Sequence, residues 1–178
     1  MKQPTKRLLA FAHAVCLIGL VSIATVNPSV ATEPQAGIWS AGAAIGFLGK
    51  TPDGTAFATN LLADYFLNHQ VSVGPLAQFA VTGDLFQVGV SGQVKYWLNL
   101  PGVDTRLKVN LQGGLGFLYA DRHSSDASWL IPIGVGVDYA LTQQLSLMST
   151  FLLNFTDVDT GRRSDATVMP GLTFGVRF

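Results

Sequence analysis

From residue 39 to residue 178, large apolar side chains fall at nearly every second position, a period of two that predicts β-strands and no helix. A first strand over 39–49 aligns Trp39, Ala41, Ala43, Ile45 and Phe47. A second over 57–68 aligns Phe57, Leu61, Ala63, Tyr65 and Leu67, and a third over 71–82 aligns Val71, Val73, Ala77, Phe79 and Val81. The fourth, 86–98, alternates Phe86, Val88, Val90, Val94, Tyr96 and Leu98 with Gln87, Gly89, Ser91, Gln93 and Lys95. The fifth, 106–119, sets Leu107, Val109, Leu111, Leu115, Phe117 and Tyr119 against Arg106, Lys108, Asn110 and Gln112. The sixth, 129–141, the seventh, 145–155, and the eighth, 171–178, repeat the pattern up to Leu172, Phe174, Val176 and Phe178. Most of these strands have the roughly ten residues needed to cross a bilayer at a tilt of about 45°.

The connections fall into two sets. Those after the even-numbered strands, 68–70, 100–105 and 142–144, share a side with both ends of the barrel. Those at 50–55, 83–85, 121–128 and 157–165 face away, and are expected to include the longer loops. An internal repeat supports this register. Asp64-Tyr65-Phe66-Leu67-Asn68-His69-Gln70-Val71-Ser72-Val73 aligns with Asp138-Tyr139-Ala140-Leu141-Thr142-Gln143-Gln144-Leu145-Ser146-Leu147, and the segment from Lys95 to Asn99 is a weaker copy. Tyr65, Tyr96, Tyr119, Trp129 and Tyr139 are candidate membrane-interface aromatics, with the ring in lipid and the polar tip in water.

Alternation does not say which face is inside, because a soluble eight-stranded barrel turns its apolar face inward. A soluble exterior would be about one third charged. Here the polar face is mostly Gly, Ser, Ala, Thr, Asn and Gln, and its charges are Asp64, Lys95, Arg106, Lys108, Asp138 and Arg177. Such residues suit a narrow lumen that side chains fill, whereas the continuous apolar face suits lipid. The sequence therefore predicts an inside-out arrangement, with those six charges as a lumen network.

The composition agrees. The 178 residues are 48% hydrophobic and 12% charged, with mean hydropathy +0.36, about half the usual charged fraction. No basic excess exists to neutralise phosphates, which argues against a nucleic-acid partner, and the apolar content argues against disorder. Lys2, Lys6 and Arg7, the apolar run 8–24 and the small-x-small pattern at Ser29-Val30-Ala31 predict a cleaved signal peptide over 1–31 and a barrel domain over 32–178. Removing 31 residues leaves 147, with eight basic and eleven acidic side chains, a net charge of −3. Cys16, the single cysteine, leaves with the leader.

The signal peptide, the eight alternating strands, the Asp-Tyr-x-Leu runs at 64–67 and 138–141, and the ending Gly-Leu-Thr-Phe-Gly-Val-Arg-Phe at 171–178 resemble the small outer-membrane barrels of Gram-negative bacteria. That group includes the OmpA transmembrane domain, OmpX and OmpW. The resemblance implies an all-β, eight-stranded antiparallel up-and-down transmembrane β-barrel in the outer membrane, monomeric and non-enzymatic. It implies outer-membrane lipid and lipopolysaccharide as its surroundings, no cofactor, and a structural or surface-interaction role. Phe178, with Phe174 and Val176 before it, would be the signal read by the barrel-assembly machinery. The sequence stops at Phe178, so the periplasmic peptidoglycan-binding domain of full-length OmpA is not expected. The outer connections are shorter than those of adhesive members.

Two other readings follow from the residues. The lumen charges could line a narrow ion path, or the less polar outer bore, with Leu48, Leu62, Leu118 and Leu152 inward by parity, could form an OmpW-like cup for a small apolar ligand. The cluster Arg122-His123-Ser124-Ser125-Asp126 resembles lipid A deacylases in its His-x-Ser spacing, although in those enzymes the pair lies on a late strand and here it falls in a polar loop. The segment 44–51, Ala-Ile-Gly-Phe-Leu-Gly-Lys-Thr, fits a loosened phosphate-loop pattern, but Pro52-Asp53-Gly54 follows where a helix is required. His69 has no metal-ligand spacing around it, and Asn154-Phe155-Thr156 matches a glycosylation acceptor within a strand. Neither these nor any other residues are assigned a catalytic, cofactor or metal role.

Overall fold

The computed structural model describes residues 36–122, 124–160 and 165–178. The predicted leader, 1–31, and the start of the barrel domain at 32 lie outside them. Eight antiparallel strands form one closed barrel in chain order: β1 (Trp39–Thr51), β2 (Gly54–Phe66), β3 (Val71–Thr82), β4 (Leu85–Leu98), β5 (Leu107–Asp121), β6 (Ser125–Ala140), β7 (Ser146–Asp159) and β8 (Asp165–Arg177). Trp39 and Phe178 lie at one end, here the near end; the hairpin tips after β1, β3, β5 and β7 form the far end.

The two faces are sorted as the alternation predicts. Leu115 is 71% exposed and Phe117 78%, on the outside with Ile45, Val90, Val94, Leu111, Ile133 and Phe174. The buried side chains include Asn60, Gln87, Gln93, Asn110, Asn154, Thr173 and four charged residues, all facing the bore. This reverses the arrangement of a soluble barrel.

The two repeat segments build the same turn. Asn68 Oδ1 accepts from the backbone N–H of Gln70 and Val71, both at 2.8 Å, and Thr142 Oγ1 accepts from Gln144 (3.2 Å) and Leu145 (3.0 Å). In each case a short side chain substitutes for a backbone acceptor and reverses the chain. The third near-end connection, 99–106, is the longest in the barrel.

The far end differs from expectation. β5 and β6 pair out to Asp121↔Ser125, and β7 and β8 to Asp159↔Asp165. Strand therefore takes in 121 and 125–128 of the segment 121–128 and the ends of the segment 157–165, and the far-end connections shrink to 52–53, 83–84, 122–124 and 160–164. The ladder continues beyond the apolar band, where side-chain hydropathy no longer marks it. Arg122 then reaches from the β5–β6 tip to the β1–β2 tip, donating to Pro52 O at 2.8 Å and pairing with Asp53.

Three prolines sit where ladders break, because proline has no N–H to donate. The β2–β3 ladder skips from Leu62↔Leu76 to Tyr65↔Val73 around Pro75, and the β5–β6 ladder from Gly113↔Ile133 to Gly116↔Leu130 around Pro132. The closing β1–β8 ladder stops at Leu48↔Gly171, one residue short of Pro170. Beside Pro75 the wall is tight, since a Cβ on Gly74 would overlap the Ala63 carbonyl.

Two predictions follow from the sorted faces. Leu115→Arg, at mid-height on the outer face, should destabilise the barrel by about 2–4 kcal/mol, while Tyr119→Arg near the far rim should cost about 0–1 kcal/mol. Denaturant unfolding in lipid vesicles measures the difference; equal costs at the two positions would contradict a lipid-facing outer wall.

Candidate functional site

Even-numbered strands run toward the near end, and each delivers one charge there: Asp64 from β2, Lys95 from β4, Asp138 from β6 and Arg177 from β8. All four are at most 8% exposed. Lys95 Nζ donates to Asp64 Oδ2 at 2.9 Å. Arg177 donates to the same oxygen through Nη1, to Asp138 Oδ2 through Nε at 2.6 Å, and to Ser40 Oγ on β1 at 3.1 Å. The repeat thus supplies two equivalent carboxylates, Asp64 and Asp138, that one guanidinium joins across the bore.

The cluster holds two cations and two anions, so it is neutral as a unit. A buried ion pair becomes costly when one partner is removed, because the remaining charge is uncompensated. Aromatic groups complete the plug. Trp97 Nε1 donates to Ser72 Oγ at 2.9 Å, its ring lies 5.1 Å from the Arg177 guanidinium carbon, and Phe66 packs 5.6 Å from it. Trp97, Phe66 and Ser72 were not singled out from sequence. Parity points Trp97 inward, but an aromatic residue beside Tyr96 and Leu98 reads as part of the lipid-facing run.

Arg106 is placed elsewhere. β5 begins at Leu107, and Arg106 is exposed in the 99–106 connection, where its N–H donates to Asp104 Oδ1 at 2.9 Å and its carbonyl accepts from Ala140. The alternation of the fifth strand extends one residue too far into that turn. Lys108 is half-buried, opposite Asp138 in the β5–β6 register.

The aromatics form two groups on the outer face. Tyr65, whose ring packs at a tilt 5.2 Å from that of Trp39, lies near one rim with Tyr96 and Tyr139, while Tyr119 and Trp129 lie toward the other. Phe174 and Phe178 are exposed and Val176 half-buried. Ile45↔Phe174 and Ala43↔Val176 pair in the closing ladder, and Phe178 exchanges two 2.8 Å backbone hydrogen bonds with Ala41.

Above the ion cluster the bore passes through amides to an apolar layer of Leu48, Leu85, Leu118, Leu130, Val158 and Met169, with alanines from β2, β3, β5 and β8. Leu48, Leu118 and Leu152 are buried and Leu62 half-buried. Between the layers lies a cavity of about 10 Å³. That is the room of about one water molecule, and Leu48, Leu118 and Leu130 belong to the packed apolar cluster.

Elsewhere, Lys50 and Thr51 enter a β-hairpin, with Thr51 Oγ1 bonded to Gly54 O at 2.9 Å, not a phosphate loop. His123 lies outside the described residues. Asp126 is engaged with the backbone, accepting from Ala127 (2.8 Å) and Asp159 (2.9 Å). Among the described residues no group of three or more His, Cys, Asp or Glu is placed to hold a metal ion.

The ion cluster makes a direct prediction. Arg177→Ala should destabilise the barrel by about 3–5 kcal/mol, as expected when one partner of a buried ion cluster is lost. The paired replacement Asp64→Leu with Lys95→Met should cost less than either single change. Unfolding midpoints in lipid or detergent test both, and additive costs for the pair would contradict a coupled cluster.

No protein-family model and no curated protein matches the chain. Solved structures do. Neisserial surface protein A superposes with a TM-score of 0.58 at 20% identity, covering 78% of this chain and 94% of that one. The N-terminal β-barrel domain of Pseudomonas aeruginosa OprF gives 0.51 at 17% identity, covering 78% and 97%. The outer membrane protein OprG from Pseudomonas aeruginosa gives 0.51 at 13% identity, covering 84% and 99%. With its closed wall, outward apolar face and ion-filled bore, the chain has the fold of the small eight-stranded outer-membrane β-barrels.

Proposed function

We propose that this protein is a monomeric barrel of the Gram-negative outer membrane that acts as a closed structural or surface-interacting element of the envelope, without catalytic activity. The observation that carries this reading is the double seal of the bore. The neutral Asp64–Lys95–Asp138–Arg177 cluster fills the near end and the leucine–methionine layer fills the far half. Eight strands leave a lumen that side chains can fill, whereas water-filled porins use about sixteen or more.

The apolar outer face supports lipid and lipopolysaccharide as its surroundings. The outward, alternating Phe174, Val176 and Phe178 support recognition by the barrel-assembly machinery during export. Short far-end connections offer little material for an extended binding loop, so any surface contact would be made by the rim of strand ends. Neisserial surface protein A, of like fold, carries a name in keeping with such a placement.

In planar bilayers the purified barrel should give no sustained conductance, and liposomes containing it should not swell in small sugars. Steady flux that falls on Lys95→Ala substitution would overturn the closed-barrel reading in favour of transport. Lipid A extracted from expressing cells should keep its acyl pattern by mass spectrometry. A deacylated species that disappears in a His123→Ala variant would overturn the non-enzymatic reading.

A further inference from the structure

Between the two seals the bore contains polar atoms that no group among the described residues answers. Asn60 Oδ1, Gln87 Oε1 and Asn154 Oδ1 accept no hydrogen bond from the described residues, although these residues are 4%, 3% and 1% exposed. All three line the cavity of about 10 Å³, on β2, β4 and β7. Their nitrogens are committed: Asn154 Nδ2 to Met169 O at 3.4 Å, Asn60 Nδ2 to Thr173 Oγ1 at 3.4 Å, and Gln87 Nε2 to Met169 Sδ at 3.8 Å. A buried acceptor left without a donor is disfavoured strongly enough that such groups are nearly always answered by protein or by water.

The occupant can be chosen by chemistry. The Met169 carbonyl only accepts, so Asn154 must present its oxygen to the cavity. Asn60 faces a hydroxyl and can turn over, presenting either an acceptor or a donor. A ligand serving this wall must donate to Asn154 and Gln87, and one that also accepts serves Asn60 in both orientations, which a cation does not. A cation would also be buried without a counter-charge, since the ion cluster below is already neutral. An apolar occupant would leave the oxygens unpaired. A water molecule donates twice, accepts, and matches the cavity's size.

We infer that the mid-bore cavity is a binding site for one water molecule, held by Asn60, Gln87 and Asn154 and bridging β2, β4 and β7 from inside the wall. The site goes beyond the closed-barrel reading and stands without it. That reading adds one property: with the ion cluster on one side and Leu118 and Leu130 on the other, exchange with bulk water should be slow.

The full barrel in lipid nanodiscs, with labelled Asn and Gln side chains, tests the site by NMR. The side-chain amide protons of Asn154 and Asn60 should show cross-peaks to water with the sign of a long-lived bound molecule. Asn154→Leu, which extends methyl groups into the cavity, should remove the peak at Asn60. Thr150→Val, altering another lining residue, should leave it. Absence of water cross-peaks at both residues in the folded wild-type barrel would overturn the inference, and needs no variant to fold. A bound resonance from added labelled ammonium at these protons would overturn it in favour of a cation. Cross-peaks showing fast exchange would uphold the site while overturning the closed bore.

Discussion

A sheet in lipid cannot keep an open edge, because unpaired backbone groups have no water to meet at that depth. Closure of β8 onto β1 is therefore the constraint from which the rest of this molecule follows. The closing ladder is short, running from Gly42↔Arg177 to Leu48↔Gly171, and Pro170 prevents its extension. What it lacks in length is compensated from within. Arg177, on the last strand, reaches Ser40 on β1, Asp64 on β2 and Asp138 on β6, so one side chain ties the seam to strands on both sides of it. Phe178 adds a final backbone pair with Ala41.

Closure also dictates the contents of the bore. Eight strands enclose too little space for a channel, and every inward position must be filled by side chains that tolerate one another. The chain solves this in layers, with a neutral ion cluster and aromatic groups at the near end, amides in the middle, and leucine, methionine and alanine at the far end. Among the described residues the amide layer keeps acceptors without a protein donor, Asn60, Gln87 and Asn154 beside the cavity and Gln93 and Asn110 away from it. At the far rim, Arg122 draws two hairpin tips together over the apolar layer.

Much of this was legible in the sequence. A period of two specifies strands, and its phase specifies which residues share a face. Phase alone therefore placed Asp64, Lys95, Asp138 and Arg177 on the bore side, and the aligned repeat anticipated two equivalent turns. The errors have physical causes. Arg106 continues the alternation of the fifth strand, but the chain is already turning at Asp104, whose side chain caps the reversal. Ser125 and Asp126 read as loop because polar residues are indistinguishable from loop once a strand has left the apolar band. Trp97 lies inward by parity but was not singled out. Its role depends on Ser72 and Arg177, which are distant in sequence. The cavity was not legible at all, since its wall is assembled from residues of all eight strands in register.

Every layer of the bore requires the apolar face to be the outside of the barrel, and depth-dependent quenching tests that most directly. Fluorophores or spin labels placed singly at Val88, Leu111 and Val135, and at Gln93 and Asn110, can be examined in vesicles carrying quenchers on the acyl chains. Labels at the first three positions should be strongly quenched, and labels at Gln93 and Asn110 should be shielded. The opposite pattern, with Gln93 and Asn110 touching acyl chains while Val88, Leu111 and Val135 do not, would contradict it.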